Sequence, residues 1–192
     1  ELLADLAHGY YQLGQIQGSA NFPSLGDGAA AAASAERALE LAHRLAALVP
    51  DGFATAMALA EGHVLRADLR AGRAEYSAAD RDLALGIDAA RRAHELDPAN
   101  ILARRLFLSS LARRGSVAVA AGRLDDAVAA HRAAYEATRE LARADPDALG
   151  VRPGDVPEGD DRRARELLAD HLRGEREVVV LHEDDRVIRI DL

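Results

Sequence analysis

The stretch RRLFLSSLARRGSVAVAAGRLDDAVAAHRAAYEATRELARADPD, from Arg104 to Asp147, decides the fold of this 192-residue chain. Apolar residues recur at helical spacing from Ile101 to Ala120, and no proline interrupts them. Gly122 breaks this pattern, and the residues after it can cap a second helix. Pro146 ends that helix, because proline disfavours helical geometry in the residue before it. The stretch therefore predicts a helix, a turn and a second helix.

The same unit recurs with a fixed period along the chain. Prolines at positions 50, 98 and 146 are 48 residues apart, in the phrases LVPDG, LDPAN and ADPDA. Small residues also fall at matching places: Ala31, Ala79 and Ala127, then Ala38, Gly86 and Ala134. At these places two helices can approach closely. Further helices are predicted from Leu2 to Gln17 and from Phe53 to Arg70. A fixed period of this length is typical of a stacked array, because one unit cannot bury its apolar face alone.

Composition excludes several kinds of chemistry. There is no cysteine, which removes disulfides, thiolate catalysis and cysteine zinc sites, and all 24 basic residues are arginine. Lysine Schiff bases and the phosphate-loop lysine are therefore absent. A net charge of −8 disfavours nucleic acid and favours a basic or neutral partner. No apolar run predicts a membrane span.

The histidines and acidic pairs do not form a recognisable catalytic or metal motif. The seven histidines are His8, His43, His63, His94, His131, His171 and His182. They include no HExxH, so we interpret them as helix-surface or packing residues. The run from His182 to Asp185 could gather a cation, but we interpret it as a solvated turn. Asp125 and Asp126 are interpreted as charges at a positive helix end. We expect no metal, no cofactor and no catalytic residue.

The segment from Gly18 to Gly28, GSANFPSLGDG, is an unusual loop between the first two helices. It has no preceding strand and no lysine, so a phosphate-binding function is disfavoured. Phe22 either packs against the neighbouring helices or is presented to a ligand. We favour packing and keep Phe22 as a candidate ligand contact.

The repeat unit resembles the tetratricopeptide repeats. In the stretch quoted first, six residues stand at the consensus small or apolar positions of that family: Leu111, Gly115, Gly122, Ala127, Ala134 and Pro146. The first unit, LADLAHGYYQLGQIQGSANFPSLGDGAAAAASAERALELA, is similar to the repeats at the carboxyl end of bacterial serine/threonine protein kinases and related regulators. The resemblance covers Leu2 to Asp147 and implies an all-α superhelix of about three helical hairpins.

The resemblance also implies a binding groove, because in this family the first helix of each repeat lines the concave surface. Carried over to the matching positions, the groove residues are His8, Tyr11 and Gln15 in the first unit and Ser109 and Ser116 in the third. The alternative is that they are ordinary solvated helix positions. An aromatic groove residue such as Tyr11 would contribute most to binding.

The sequence after the repeats has a different composition, so we predict further elements there. We divide it into a repeat array over 1–149, a linker over 150–159, a capping helix over 160–174 and a β-hairpin tail over 177–192. An isolated two-stranded hairpin is marginal in water, so either the capping helix or a second copy of the chain should cover it. Cover by a second copy would make a homodimer.

The function expected from these observations is protein–protein interaction or scaffolding, without catalysis, in the regulatory part of a larger cytoplasmic bacterial protein. The glycine loop, lysine and HRD motif of a kinase are absent. The alternative is a helical sensor that binds a small molecule in a pocket near the Gly18 to Gly28 loop. A buried apolar pocket would favour the sensor, and an open groove would favour the scaffold.

Overall fold

The fold is given by a computed structural model, which describes residues 1–18, 23–144, 179–181 and 187–189. Its helices are α1 (Leu2–Gly18), α2 (Gly28–Leu48), α3 (Phe53–Gly72), α4 (Tyr76–Leu96), α5 (Ile101–Ala120) and α6 (Leu124–Ala144). Two short strands, β1 (Val179–Leu181) and β2 (Val187–Arg189), pair antiparallel. The described array is thus all-helical, as the composition and periodicity predicted.

The 48-residue period sets the helix boundaries. Helices α4 and α6 begin and end 48 residues after α2 and α4, and α5 does so after α3. The second unit, whose sequence aligns least cleanly, therefore keeps the register of the others. Only α1 departs from it, because residues 19–27 connect α1 to α2 where the later hairpins have the three-residue turns 73–75 and 121–123.

The helices pack in chain order. Each contacts the next one along the sequence, while α1 also contacts α3 and α3 also contacts α5. The chain therefore forms three hairpins, α1–α2, α3–α4 and α5–α6, that stack with their odd-numbered helices side by side. This is the neighbour-to-neighbour packing expected of a repeat array.

Small residues allow the helices to approach one another closely. Ala31, Ala79 and Ala127 are fully buried, and Ala38 and Gly86 are also buried, whereas Ala134 is only partly covered. A close junction between hairpins lies at Gly62 of α3, where an added Cβ would stand 2.8 Å from Leu39 Cδ2 of α2. Any larger residue at Gly62 would have to displace that leucine, which is itself buried.

Each hairpin turn contains one residue in the left-handed region, again 48 residues apart. Gly26, Ala74 and Gly122 have φ values of 73°, 59° and 71°. Glycine adopts this geometry without a Cβ clash, but alanine at the middle turn pays a steric cost of about 1–2 kcal/mol. The packing of α3 against α4 holds Ala74 in this conformation.

A buried carboxylate ties α3 to α4. Asp82 accepts hydrogen bonds from Arg66 Nε and Nη2 at 3.0 and 2.7 Å and from Arg70 Nη1 at 2.6 Å, and His63 Nδ1 lies 3.3 Å away. Arg66 also reaches Glu36 of α2. Burial alone would raise the pKa of Asp82, but the hydrogen bonds from His63 and Arg66 and the charges of Arg66 and Arg70 lower it to about 2.

The other predictions for this region have mixed outcomes. Asp125 and Asp126 lie in the first turn of α6, where the helix dipole favours acidic residues. The predicted linker over 150–159 and helix over 160–174 lie outside the described residues, as does most of the predicted tail over 177–192, so they and the homodimer through the tail stay predictions. None of the helices in the described part has the length and apolar character needed to cross a membrane.

Replacing Ala74 with glycine should stabilise the array. Relief of the left-handed strain exceeds the extra entropy of an unfolded glycine, for a net gain of about 0.5–1 kcal/mol. Gly122→Ala is the matched control and should lose a similar amount. Urea unfolding followed by circular dichroism measures both changes. Equal effects of the two substitutions in the same direction would contradict the left-handed turns.

Asp82→Asn should cost about 2 kcal/mol at pH 7, because it removes a charged acceptor from two arginines. The folded-state pKa of Asp82 lies below the unfolded value of about 4, so its contribution is complete above pH 4 and is lost as the pH falls through about 2. Urea unfolding at pH 7 and pH 2.5 should therefore show a smaller difference between wild type and variant at the lower pH. Asp88→Asn, an exposed acid on the same helix, should change little. An Asp82→Asn loss that does not depend on pH would rule out the ionic explanation.

Candidate functional site

The candidate site is the side of the array where α1, α3 and α5 lie next to one another, which we call the odd-helix face. It is defined by His8, Tyr11, Gln12 and Gln15 of α1, Glu61 and Asp68 of α3, and Ser109, Arg113 and Ser116 of α5. Hydrogen bonds join α1 to α3 and α3 to α5 across it. Three helices from three different hairpins thus contribute to one polar surface.

His8 and Glu61 form the contact between α1 and α3. His8 Nδ1 lies 2.9 Å from Glu61 Oε2, and the Gln12 amide donates to His8 Nε2 at 2.8 Å. Because an amide nitrogen only donates, Nε2 is the acceptor and Nδ1 carries the proton that Glu61 accepts. The His8 side chain is 47% exposed while that of Glu61 is 10% exposed, so a ligand would reach the ring before the carboxylate.

Burial raises the pKa of Glu61, and the hydrogen bond from His8 opposes that rise. Folding therefore makes ionisation of Glu61 costly as the pH rises through the ordinary range for glutamate, and His8 limits that cost. The ring is thus part of the folded structure as well as of the surface. This dual role is common where a polar group lines a site and also supports a neighbouring helix.

Tyr11 of α1 lies on the odd-helix face and packs against α3. Its ring packs against a cluster that contains Leu65 and Leu69 of α3, and its centre is 6.0 Å from that of His8. The hydroxyl accepts a hydrogen bond from Gln15 Nε2 at 2.7 Å. Burial and the charge of Glu61 raise the pKa of Tyr11 to about 12, so it stays a neutral phenol under physiological conditions.

On the other side of α3, Asp68 pairs with Arg113 of α5. Ser109 and Ser116 lie four residues before and three residues after Arg113, which places them on the same side of α5. The Ser109 hydroxyl donates to the Leu106 carbonyl at 3.2 Å and the Ser116 hydroxyl to the Ala112 carbonyl at 3.4 Å. The serines therefore flank an ion pair that the sequence did not predict.

All five residues predicted for the groove fall on α1 and α5, on either side of α3. The contribution of α3 was missed, because the register of the second unit was not clear from the sequence. The period itself contained the signal, since Ser109 and Ser116 lie 48 residues after Glu61 and Asp68. A strict 48-residue shift would have named both acidic residues.

The Gly18 to Gly28 loop is only partly described, and Phe22 lies outside the described residues. Beside the loop is a shallow depression lined by Gln12, Gln15, Ile16 and Pro23, which opens to solvent. Two of these four residues belong to the odd-helix face, so the depression is the end of that face and not a separate cavity.

The residues of the odd-helix face are suited to hydrogen bonding and stacking. They offer an imidazole, a phenol, amides, hydroxyls and one guanidinium, with two carboxylates behind them. Among the described residues no group of three histidine or acidic side chains could hold a metal ion. These groups are hydrogen-bond donors and acceptors of the kinds that occur at protein interfaces.

No protein-family model, no curated protein and no solved structure matches the chain. The resemblance of the repeat unit to the tetratricopeptide repeats therefore stays a prediction.

His8→Ala should destabilise the fold at pH 7 by about 1–3 kcal/mol, because it leaves a buried carboxylate without its donor. Adding Glu61→Gln should recover part of this loss, since a neutral amide costs less to bury. Acidification should also reduce the loss, as Glu61 becomes protonated through its raised pKa.

The control for this experiment is Gln12→Ala, which removes only the exposed partner of the same ring and should change stability little. Chemical unfolding of the wild type, His8→Ala, Glu61→Gln and the double variant at pH 7 and pH 4 gives the required double-mutant cycle. Gln12→Ala is measured under the same conditions. Additive losses from His8→Ala and Glu61→Gln would show that the two side chains are not coupled.

Proposed function

We propose that this chain is a non-catalytic interaction module, built like a tetratricopeptide array, whose odd-helix face binds a segment of another protein. The observation that carries the proposal is the serial packing of α1, α3 and α5 on one side of the stack. Polar side chains recur on that side at positions one period apart. A surface that repeats in this way suits an extended peptide, which itself presents a repeating backbone.

The chemistry of the face suggests what the segment should contain. Glu61 and Asp68 contribute two carboxylates, Arg113 one positive charge and His8 an imidazole ring, within a chain of net charge −8. A peptide with lysine or arginine side chains is therefore favoured over an acidic one. His8 and Tyr11 present partly exposed rings beside each other and can stack on an apolar or cationic side chain.

The proposal includes a regulatory role within a larger bacterial protein in the cytoplasm. This part rests on the resemblance of the first repeat to those of bacterial serine/threonine protein kinases and related regulators. The alternative, a small-molecule sensor, rests on the depression beside Pro23. That depression is lined by two glutamines and is open to solvent, which suits the end of a peptide groove better than an enclosed ligand site.

A library of random peptides displayed on phage tests the proposal, because it samples partner segments of many sequences at once. We expect selection on the immobilised chain to enrich peptides with basic side chains. For a synthetic peptide from this set, Tyr11→Ala should raise the dissociation constant at least tenfold, because aromatic anchors dominate such interfaces. Fluorescence anisotropy measures the constant, and circular dichroism checks that Tyr11→Ala remains folded.

The matched control is Arg91→Ala, which changes a half-exposed side chain on α4 and should alter the dissociation constant less than twofold. Asp68→Asn, with its arginine partner left in place, should weaken basic peptides more than neutral ones. Failure to enrich any peptide, or equal effects of Tyr11→Ala and Arg91→Ala, would refute binding at the odd-helix face.

A further inference from the structure

The outward side of α1 carries a row of large apolar residues that is separate from the odd-helix face. Leu2, Leu6, Leu13 and Ile16 are 71%, 43%, 42% and 57% exposed, and Gly9 lies at the centre of the row. We call these five residues the α1 stripe. Exposed apolar patches of this extent on a soluble protein mark interaction surfaces.

The loop after α1 extends this patch. The Leu25 backbone N–H donates to the Ile16 carbonyl at 2.9 Å, which fixes Leu25 beside the end of the α1 stripe. Leu25 is itself 77% exposed. The buried residues of α1, Ala7 and Gly14, face the interior of the first hairpin, so the α1 stripe takes no part in its core.

Inside the array, the side of α3 that corresponds to the α1 stripe is covered by another helix. Gly9 precedes Gly62 by 53 residues, the same offset that separates His8 from Glu61. At Gly62 the corresponding side of α3 is covered by α2 through Leu39. At Gly9 no described atom lies within 4 Å of the place where a Cβ would stand. The α1 stripe therefore has the form of a helix-binding surface without its helix.

We propose that the helix is α1 of a second copy of this chain, packed antiparallel and crossing at Gly9. The argument is self-complementarity, which a two-fold interface requires. Leu2 and Ile16 lie seven residues to either side of Gly9, while Leu6 lies three before it and Leu13 four after it. The spacing of large apolar residues is therefore nearly symmetric about Gly9, and the absence of a side chain at Gly9 lets the two helix backbones approach.

In this dimer Leu2 packs against Ile16 of the second copy, and Leu6 packs beside Leu13 of the second copy. The large apolar residues of this patch on each copy are Leu2, Leu6, Leu13, Ile16 and Leu25. Burying their exposed parts removes on the order of 1,000 Å² of surface from water in total, which is the lower limit for a specific interface. No charged side chain belongs to the stripe, so salt should strengthen the dimer by screening the repulsion between two chains of net charge −8.

Sedimentation velocity over a concentration range from about 1 to 200 µM, at 0.05 and 0.5 M NaCl, tests the proposal on the full chain. We expect a reversible dimer that is more populated at the higher salt concentration. Leu6→Asp combined with Leu13→Asp should raise the dimer dissociation constant at least tenfold, whereas Leu85→Asp, at a single exposed leucine of α4, should leave it within twofold.

Gly9→Leu is the more specific variant. Since nothing lies near its Cβ position, the substitution should not lower the melting temperature of the monomer and should favour the helix. At the crossing point, however, the added side chains would hold the two helices apart and raise the dissociation constant at least tenfold. A chain that stays monomeric at every concentration, or a dimer that tolerates Gly9→Leu, would overturn the proposal.

Discussion

The close approach of α2 to α3 at Gly62 is the constraint on which the rest of the structure depends. It is where consecutive hairpins meet, and Leu39 fills the space that a side chain at that position would need. With only 4% aromatic residues, the core is built from alanine and leucine, so contact between helix backbones replaces large anchors. This junction fixes α3 beside α1, and His8 can reach Glu61 only because it does.

The same packing explains why the polar groups are distributed as they are. On one side of α3, Arg66 and Arg70 hold the buried Asp82, and Arg66 also connects the second hairpin to Glu36 of α2. On the odd-helix face, Glu61 and Asp68 each take a partner from a different neighbouring helix. Helix α3 therefore links the array in both directions, with neutral or paired charges at each contact, as burial requires.

Much of this fold could be predicted from the sequence, because one period governs prolines, turns and helix ends. The helix predicted from Ile101 to Ala120 has those bounds, and the predicted starts of α1 and α3 are also confirmed. The candidate site could be predicted only in part. The positions on α1 and α5 followed from a resemblance, and a strict 48-residue shift would have added Glu61 and Asp68. Their pairing with His8 and Arg113 became visible only when helix packing placed these side chains together. Pairing between helices is a tertiary property that no local pattern contains.

Disulfide trapping tests the junction between hairpins most directly, since the natural chain contains no cysteine. The backbone nitrogen of Leu39 lies 3.5 Å from the Cβ position at Gly62, so Leu39→Cys with Gly62→Cys should form a disulfide under mild oxidation without loss of helicity. Gly14→Cys with Ser34→Cys, whose Cβ atoms would be 3.4 Å apart within the first hairpin, serves as the positive control. If the control pair cross-links but the pair at Leu39 and Gly62 does not, the hairpins do not stack as described.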